Sequence, residues 1–368
     1  MKMQMTKLLL DVAILFCSTL ISIEGANFMI DPTCSLHNGT ECMDVYKCPY
    51  FSSLLQESPK NKLQIITELR RKQCGFVNRS PAVCCTKKDK VSTERTEHLI
   101  YNRNLDLLPI DTCGQHFFDY RITHGQVATL NELPWMALII YNTEKGLDFL
   151  CGGTLISEIY VLTAAHCILD SISGVRLGEY DLLSVKDCDE PLHYCAPPVQ
   201  DFHIDKIVMH QGFKNTKNNH DIALIRLSNP ANISVENVQP ICLPLERSEL
   251  QGKLFTIAGW GTSENGYRNT VLHKASVPMI PTAVCQRLYQ GLVNISENQM
   301  CAGGERADSC SGDSGGPLTS IISSKRMLKH VQYGIVSYGP KACGTLGLPG
   351  IYTKLENYVE WILDNLEP

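Results

Sequence analysis

Gly312-Asp313-Ser314-Gly315-Gly316-Pro317 sets a serine within a run of glycines, and the reading of the whole chain turns on this stretch. Residues without a Cβ let the backbone turn tightly and bring N–H groups together, here those of Gly312 and Ser314, at a point where a carbonyl oxygen can sit. A serine hydroxyl in such a turn stays a weak nucleophile until a base takes its proton and a carboxylate orients that base. Two other stretches offer those parts. Thr163-Ala164-Ala165-His166-Cys167 holds an imidazole beside a half-cystine, and Asp221-Ile222-Ala223-Leu224 holds a carboxylate at the start of an apolar strand. Neither is decisive alone, since one histidine among eleven is usually structural. Together the three supply nucleophile, base and orienter.

From Ile122 onward, apolar residues come in short β-branched or alternating runs separated by Gly, Pro and Asn. Examples are Trp135 to Tyr141, Thr154 to Leu162, Ile222 to Leu227, Phe255 to Ala258 and Val331 to Val336. Runs of about five residues at this spacing predict an antiparallel all-β domain, sandwich or barrel. One helix is expected near the C-terminus, where Tyr358, Trp361, Ile362 and Leu366 recur at helical spacing as a stripe that packs on the domain surface.

A chain of 368 residues fits one large domain and a smaller module. With 44% hydrophobic and 19% charged residues it is neither largely disordered nor coiled coil nor collagen-like. The net charge of -5 is uneven: residues 34–85 carry seven Lys/Arg against four Asp/Glu, residues 122–368 eighteen against twenty-five. An acidic main domain gives no support to nucleic-acid binding.

Lys2 and Lys7 precede an apolar run, Leu8 to Ile23, broken by Asp11 and ending in small residues near Gly25 and Ala26, so residues 1–25 read as a secretory signal peptide. A membrane anchor, the rival reading, needs ~20 apolar residues, and no membrane attachment is expected. Seventeen cysteines imply an oxidising compartment, and loss of Cys17 with the signal leaves sixteen. Six of these, Cys34, Cys42, Cys48, Cys74, Cys84 and Cys85, crowd into residues 34–85, a segment too short to hold itself together by apolar burial. A zinc site is the alternative, but no pair here has the two-residue spacing of a zinc knuckle. Spacing alone leaves fifteen disulfide connectivities open. Residues 86–112 are polar with cancelling charges, and read as an exposed linker.

The order His166, Asp221, Ser314, with the motif around each, resembles the trypsin/chymotrypsin family of serine proteases throughout residues 122–368. The resemblance implies two six-stranded antiparallel β-barrels with the site in the cleft between them. It makes Ser314 the nucleophile, His166 the general base and then acid, Asp221 the orienter, and the N–H groups of Gly312 and Ser314 the oxyanion hole. Asp308 matches the pocket floor of the trypsin-like branch, where a buried carboxylate is neutralised by a substrate guanidinium or ammonium. Ser337, Gly339 and Gly350 match the pocket walls and leave it open, so cleavage after Arg or Lys is implied. Residues 113–121 form the activation segment: a cut between Arg121 and Ile122 frees an α-ammonium that pairs with Asp313 and sets the oxyanion turn. This chain has Ile122-Thr123-His124-Gly125 where the family commonly has Ile-Val-Gly-Gly. The implied disulfides are Cys151–Cys167, Cys285–Cys301, Cys310–Cys343 and Cys113–Cys242, the last tethering the N-terminal part after the cut. Cys188 and Cys195 are then left for each other.

The six N-terminal cysteines resemble those of the clip domain of arthropod clip-domain serine proteases, which implies Cys34–Cys84, Cys42–Cys74 and Cys48–Cys85. Such enzymes act in extracellular zymogen cascades of haemolymph, in prophenoloxidase activation and melanisation or in Toll-ligand processing. The implied partners are a protein substrate, an upstream trypsin-like activating protease and a serpin inhibitor. The alternative within this family is a catalytically weak clip-domain cofactor that binds cascade zymogens. No cofactor is required. Glu179 and Asp181 lie where trypsin-like enzymes bind structural Ca²⁺, a solvated acidic loop being the other reading. Asn38, Asn78, Asn232 and Asn294 each begin a glycosylation sequon.

Overall fold

The computed structural model describes residues 34, 40–45, 47–48, 51, 72–77, 80–86, 102–115, 126–214, 219–246, 250, 252–262, 266–304, 312–324, 327–339 and 348–368. They fall into two compact units, residues 1–100 and 101–368. The signal segment, Asn38 and Asn78, Arg121 and Ile122, Asp308, and the Cys310 and Cys343 pair lie outside the described residues.

In the first unit, β1 (Thr40–Asp44), β2 (Gln73–Val77) and β3 (Ser80–Thr86) form an antiparallel sheet in the order β1-β3-β2. Adjacent residues of a strand point to opposite faces, which is how the neighbours Cys84 and Cys85 reach different partners. Cys84 bonds Cys34 beside Cys74 and Ala82, while Cys85 bonds Cys48 beside Val45, Phe51 and Val83. Cys42–Cys74 joins β1 to β2. The three bridges span 50, 32 and 37 residues, each limiting the unfolded chain by roughly 4 kcal/mol. Phe51 is the one large aromatic among the described residues of this small core, so cross-links carry most of its stability.

The second unit is built of two barrels. After β4 (Gln126–Val127) come β5 (Met136–Thr143), β6 (Gly146–Ser157), β7 (Tyr160–Thr163) and β8 (Ile172–Leu177). A hairpin of β9 (Cys188–Asp189) and β10 (Tyr194–Cys195), closed by the Cys188–Cys195 bridge, precedes β11 (Gln200–Phe202), β12 (Ile204–Met209) and β13 (Ala223–Leu227). The first sheet runs β11-β8-β5-β6-β7-β13-β12, antiparallel throughout. Since β11 and β12 are halves of one stretch parted at His203, the ladder starts and ends on the same bent strand. Six strands therefore wrap around Ile139, Leu155, Leu162, Leu177 and Leu224, all fully buried.

The second barrel comprises β14 (Leu254–Gly259), β15 (His273–Ile280), β16 (Gln299–Ala302), β17 (Pro317–Ser324), β18 (Met327–Tyr338) and β19 (Gly350–Lys354). Their order is β14-β17-β18-β19-β16-β15, and β14 pairs directly with β15 to close the ring, with β4 added outside β15. Phe255, Val277, Met300, Leu318, Tyr333 and Tyr352 fill it. At ~2 kcal/mol for each large side chain buried, six such residues outweigh any one disulfide, and this unit is held by its cores. The run Thr154 to Leu162, read as one stretch, is two strands: the chain reverses at Glu158 and Ile159, a turn with none of the usual Gly or Asn to mark it. Short helices α1 (Thr282–Leu288) and α2 (Val359–Asp364) complete the unit. The C-terminal stripe buries Tyr358, Ile362 and Leu366, although its α-helical part is only six residues, entered through a 3-10 turn at Leu355–Asn357.

One expectation is corrected. Residues 102–112, assigned to the linker, pack on the second unit instead. A 3-10 turn at Arg103–Leu107 sets Asn104 against the end of α2, where its side-chain amide donates to the carbonyls of Leu363 (2.8 Å) and Leu366 (3.1 Å). Leu363 O also takes Leu366 N at 3.2 Å, so the amide adds to the bonding of a frayed helix end rather than replacing it. The buried ammonium of Lys329 donates to Ile110 and Asp111 O, both at 2.8 Å, and Cys113 bonds Cys242. Polarity of the segment concealed this, because Asn104 satisfies backbone rather than water. Replacing Asn104 with Ala removes two hydrogen bonds between the segment and the end of α2 and should lower unfolding free energy by about 1–2 kcal/mol in a urea titration of the full chain; an unchanged midpoint would refute this docking.

Candidate active site

Three elements converge. β7 leads into a 3-10 turn, Ala165–Cys167, that presents His166. The Cys151–Cys167 bridge ties this turn to β6, and the buried Tyr141 hydroxyl donates to Cys167 O at 2.7 Å. Burial raises the Tyr141 hydroxyl far above its ordinary pKa, so it remains a donor at every working pH.

Asp221 lies at the entrance to β13 with its side chain fully buried, whereas that of His166 is 25% exposed. One carboxylate oxygen accepts from His166 N at 2.9 Å, and the other meets His166 Nδ1 at 2.8 Å and the Ser337 hydroxyl. Thr353 Oγ1 donates to the Asp221 carbonyl at 2.8 Å. The buried carboxylate is surrounded by donors, and its hold on Nδ1 fixes the ring and leaves Nε2 as the nitrogen free to act. His220, immediately before it, adopts φ 57°, an unusual conformation for a residue with a Cβ. Its ring stacks on His210 with centroids 4.5 Å apart, and its Nδ1 is 2.9 Å from Tyr358 Oη.

Ser314 occupies a turn closed by Gly316 N to Asp313 O at 2.9 Å, with Gly315 at φ 79°. That is the third position of a type II turn, which demands glycine. A Cβ on Gly315 would also stand 2.2 Å from Thr163 Oγ1, 2.5 Å from Gly152 O and 3.2 Å from Cys167 Sγ. The close fit brings the serine turn onto the disulfide that carries His166, and Gly152 N donates to Ser314 O at 2.8 Å. His166 Nε2 lies 3.8 Å from Cys167 Sγ, and among the described residues no hydrogen bond joins it to Ser314. Gly312 has φ 99°, and among the described residues neither its N–H nor that of Ser314 donates to a protein acceptor. Donors left open beside a serine are suited to an oxyanion.

The Asp313 carboxylate accepts from Gly261 N at 2.9 Å in a backbone cradle at the end of β14. A Cβ on Gly259 or Gly261 would fall 2.2 Å or 2.5 Å from it. Gly339 and Gly350 face one another, a Cβ on Gly339 lying 3.7 Å from Gly350 Cα, with Ser337 buried just before them. In the acidic loop, the Glu179 carboxylate takes Tyr180 N at 3.0 Å and Arg176 at 3.1 Å, and Asp181 takes Leu183 N at 3.2 Å. Asp187 Oδ1 is buried there with no hydrogen-bond partner. Asn232 and Asn294 are both exposed. Cys285 bonds Cys301. Among the described residues, the two clusters spaced to hold a metal are Cys34/Cys74/Cys84 and Cys151/His166/Cys167, whose sulfurs are all in disulfides.

The sequence did not point to Tyr141, Thr163, His220, Gly259, Gly261 or Thr353. Only the Gly259-Trp260-Gly261 spacing, repeating the glycine-rich character of residues 312–316, offered a signal. Ser337, read as pocket wall, donates to Asp221 as well.

A carboxylate-oriented imidazole beside a serine, carried by two β-barrels, defines a serine hydrolase that works by acyl transfer. The Trypsin family matches residues 122–362, and the Regulatory CLIP domain of proteinases matches residues 34–85. Phenoloxidase-activating factor 1 of Holotrichia diomphalia is 35% identical over 353 residues, 91% of this chain and 93% of that one. Serine protease grass of Drosophila melanogaster is 34% identical over 378 residues, 97% of each. A crystal structure of the Drosophila Grass clip serine protease of the Toll pathway superposes with TM-score 0.62 at 32% identity, covering 92% of this chain and 97% of that one. The chain belongs to the trypsin family of serine proteases and carries an N-terminal CLIP domain; it is a serine endopeptidase.

Two substitutions test this construction. Ser337→Ala removes one donor from the buried carboxylate and should reduce kcat roughly tenfold, a loss of about 1.4 kcal/mol, while leaving the fold intact by circular dichroism. Full activity would show that Asp221 does not need this partner. Gly315→Ala should abolish activity and impair folding, read by circular dichroism and turnover together; a folded, active variant would contradict the packing described.

Proposed function

We propose that this protein is a secreted zymogen of an endopeptidase that cuts protein substrates after Arg or Lys, made active by cleavage between Arg121 and Ile122. The buried Asp221–His166 pair, with Ser337 on the same carboxylate and Ser314 set against the Cys151–Cys167 bridge, carries this reading. Asp221 fixes Nδ1–H, and Nε2 takes the Ser314 proton as Oγ attacks the scissile carbonyl. The N–H groups of Gly312 and Ser314 meet the developing oxyanion, and the imidazolium returns its proton to the leaving amine. Water repeats the sequence and frees the acid.

Asp308 supplies the negative floor of the specificity pocket, between walls that Gly339 and Gly350 leave open. Cleavage at Arg121 gives Ile122 an ammonium to pair with Asp313, whose position between Gly259 and Gly261 makes it the lever on the neighbouring serine turn. Relatives named Phenoloxidase-activating factor 1 and Spaetzle-processing enzyme, both 35% identical to this chain, support a place in an extracellular proteolytic cascade of insect immunity, in haemolymph. Its partners there are an upstream trypsin-like activator, a downstream precursor and a serpin. Sugar chains sit on Asn232 and Asn294.

Recombinant precursor cut after Arg121 should hydrolyse an Arg-ended chromogenic amide, and Ser314→Ala should remove that turnover by at least about a thousandfold. Turnover surviving in Ser314→Ala, or absent from verified cut wild type, would defeat the proposal. Asp308→Ser should erase the preference for basic residues.

The acidic loop is also proposed to hold a structural calcium ion through Glu179 and Asp181, with Asp187 beside them; bound there, the ion would supply charge balance and take no part in the chemistry. Burial holds Glu179 and Asp187 above their ordinary values of 4.5 and 3.8. A carboxyl raised on folding costs stability once ionised, so without the ion stability falls as pH climbs through the raised values. Calcium should therefore raise Tm by about 3 °C at neutral pH and by less near pH 4.5; equal shifts by scanning calorimetry would exclude this site.

A further inference from the structure

The serine turn lies between two strands. β18 holds one side through Gly315 N to Val336 O and Val336 N to Gly316 O, both 2.9 Å, and runs on to Ser337 and Gly339 of the pocket wall. β6 holds the other side through Gly152 N to Ser314 O at 2.8 Å. Followed back from Gly152, β6 passes the Cys151–Cys167 bridge and carries Leu150, 39% exposed, and Leu147, 70% exposed. With Ser314 as nucleophile, the residues after a cut bond have the β6 side of the serine turn open to them, opposite the strand that leads to the pocket wall.

Arg268 crosses to that edge from the second barrel. Its backbone pairs with Thr262, and Asn269 holds the Gly261 carbonyl from N (3.2 Å) and Nδ2 (2.8 Å). Gly261 N is the group that holds Asp313. One arm of the guanidinium meets Asp148 at 2.7 Å and the other donates to Phe149 O, while Asp148 also accepts from Phe149 N at 2.7 Å. The planar fork thus grips side chain and backbone of β6 at once, which lysine cannot imitate. Its charge is met by Asp148, and the exposed apolar side chains next to the pair in the chain are Leu147, Leu150 and Tyr267, the last 79% exposed.

We propose that Arg268 is a positioning residue for the leaving-group side of the site, fixing an apolar wall on β6 that favours substrates with an aliphatic residue directly after the cut bond over those with a charged one. The inference rests on Ser314 as the nucleophile. The bond Arg121-Ile122 has such a residue in that place.

The test uses the activated full chain with internally quenched peptides that differ only in Ile or Asp after the Arg, beside an Arg-ended chromogenic amide that has no residue there. Wild type should cut the Ile peptide at least about tenfold faster in kcat/KM than the Asp peptide. In Arg268→Gln, the ratio of Ile-peptide to amide kcat/KM should fall about fivefold, mostly through KM. The reversed pair Asp148→Arg with Arg268→Asp should recover the ratio, and Leu150→Ser should erase the preference for Ile. Equal cutting of the two peptides, or a ratio untouched by Arg268→Gln while amide turnover is normal, overturns this inference alone. Absence of amide turnover in the cut wild type overturns the proteolytic reading and this one with it.

Discussion

The Asp221 carboxylate is the constraint around which the catalytic unit is arranged. A carboxylate with no exposed surface is tolerated only if donors surround it, and here they come from distant parts of the chain: His166 in backbone and side chain, and Ser337 at the end of β18. Thr353 on β19 holds the same residue by its carbonyl. Two of the carboxylate's donors belong to the first barrel and one to the second, so satisfying this single group requires both barrels to be folded and in register. The stacked His210 and His220, and the positive φ of His220, are part of the same demand, because the backbone before Asp221 has to turn abruptly to deliver the carboxylate inward.

The serine is placed by a different means. Nothing charged pins it; instead, close backbone packing leaves it one position. Gly315 fits between Thr163, Gly152 and Cys167, and Gly259 and Gly261 close around Asp313 on the other side. Glycine is the only residue compatible with approaches of this kind, and the dense packing gives the turn little room to relax. Electrostatics therefore sets the imidazole, and steric exclusion sets the serine turn.

Much of this was legible in the sequence. The glycine run around Ser314 announces a tight turn because no other residue type would serve there, and the half-cystine next to His166 announces an anchor. The barrels were legible as a class, since short alternating strands with no long helices leave few architectures. What escaped has a common physical origin. Thr353 and Tyr141 act through one hydrogen bond each, made to backbone carbonyls remote in sequence, and a threonine or tyrosine in an apolar strand looks like packing. The reversal at Glu158 lacks turn residues because strand pairing, not local preference, forces it. Residues 102–112 misled for the opposite reason: polar side chains were read as facing water, whereas Asn104 faces the end of a helix and the ammonium of Lys329 faces this segment's carbonyls.

That docked segment changes what a cut beyond it can accomplish. Cys113–Cys242, Asn104 and Lys329 grip the polypeptide upstream of residue 116, so opening a peptide bond downstream yields two chains that still travel as a single particle. A surface that captures the CLIP domain then captures the protease too, and raises its local concentration there by orders of magnitude over bulk. A tether of this kind lets one unit set where the other is held without any change in the chemistry of the larger one.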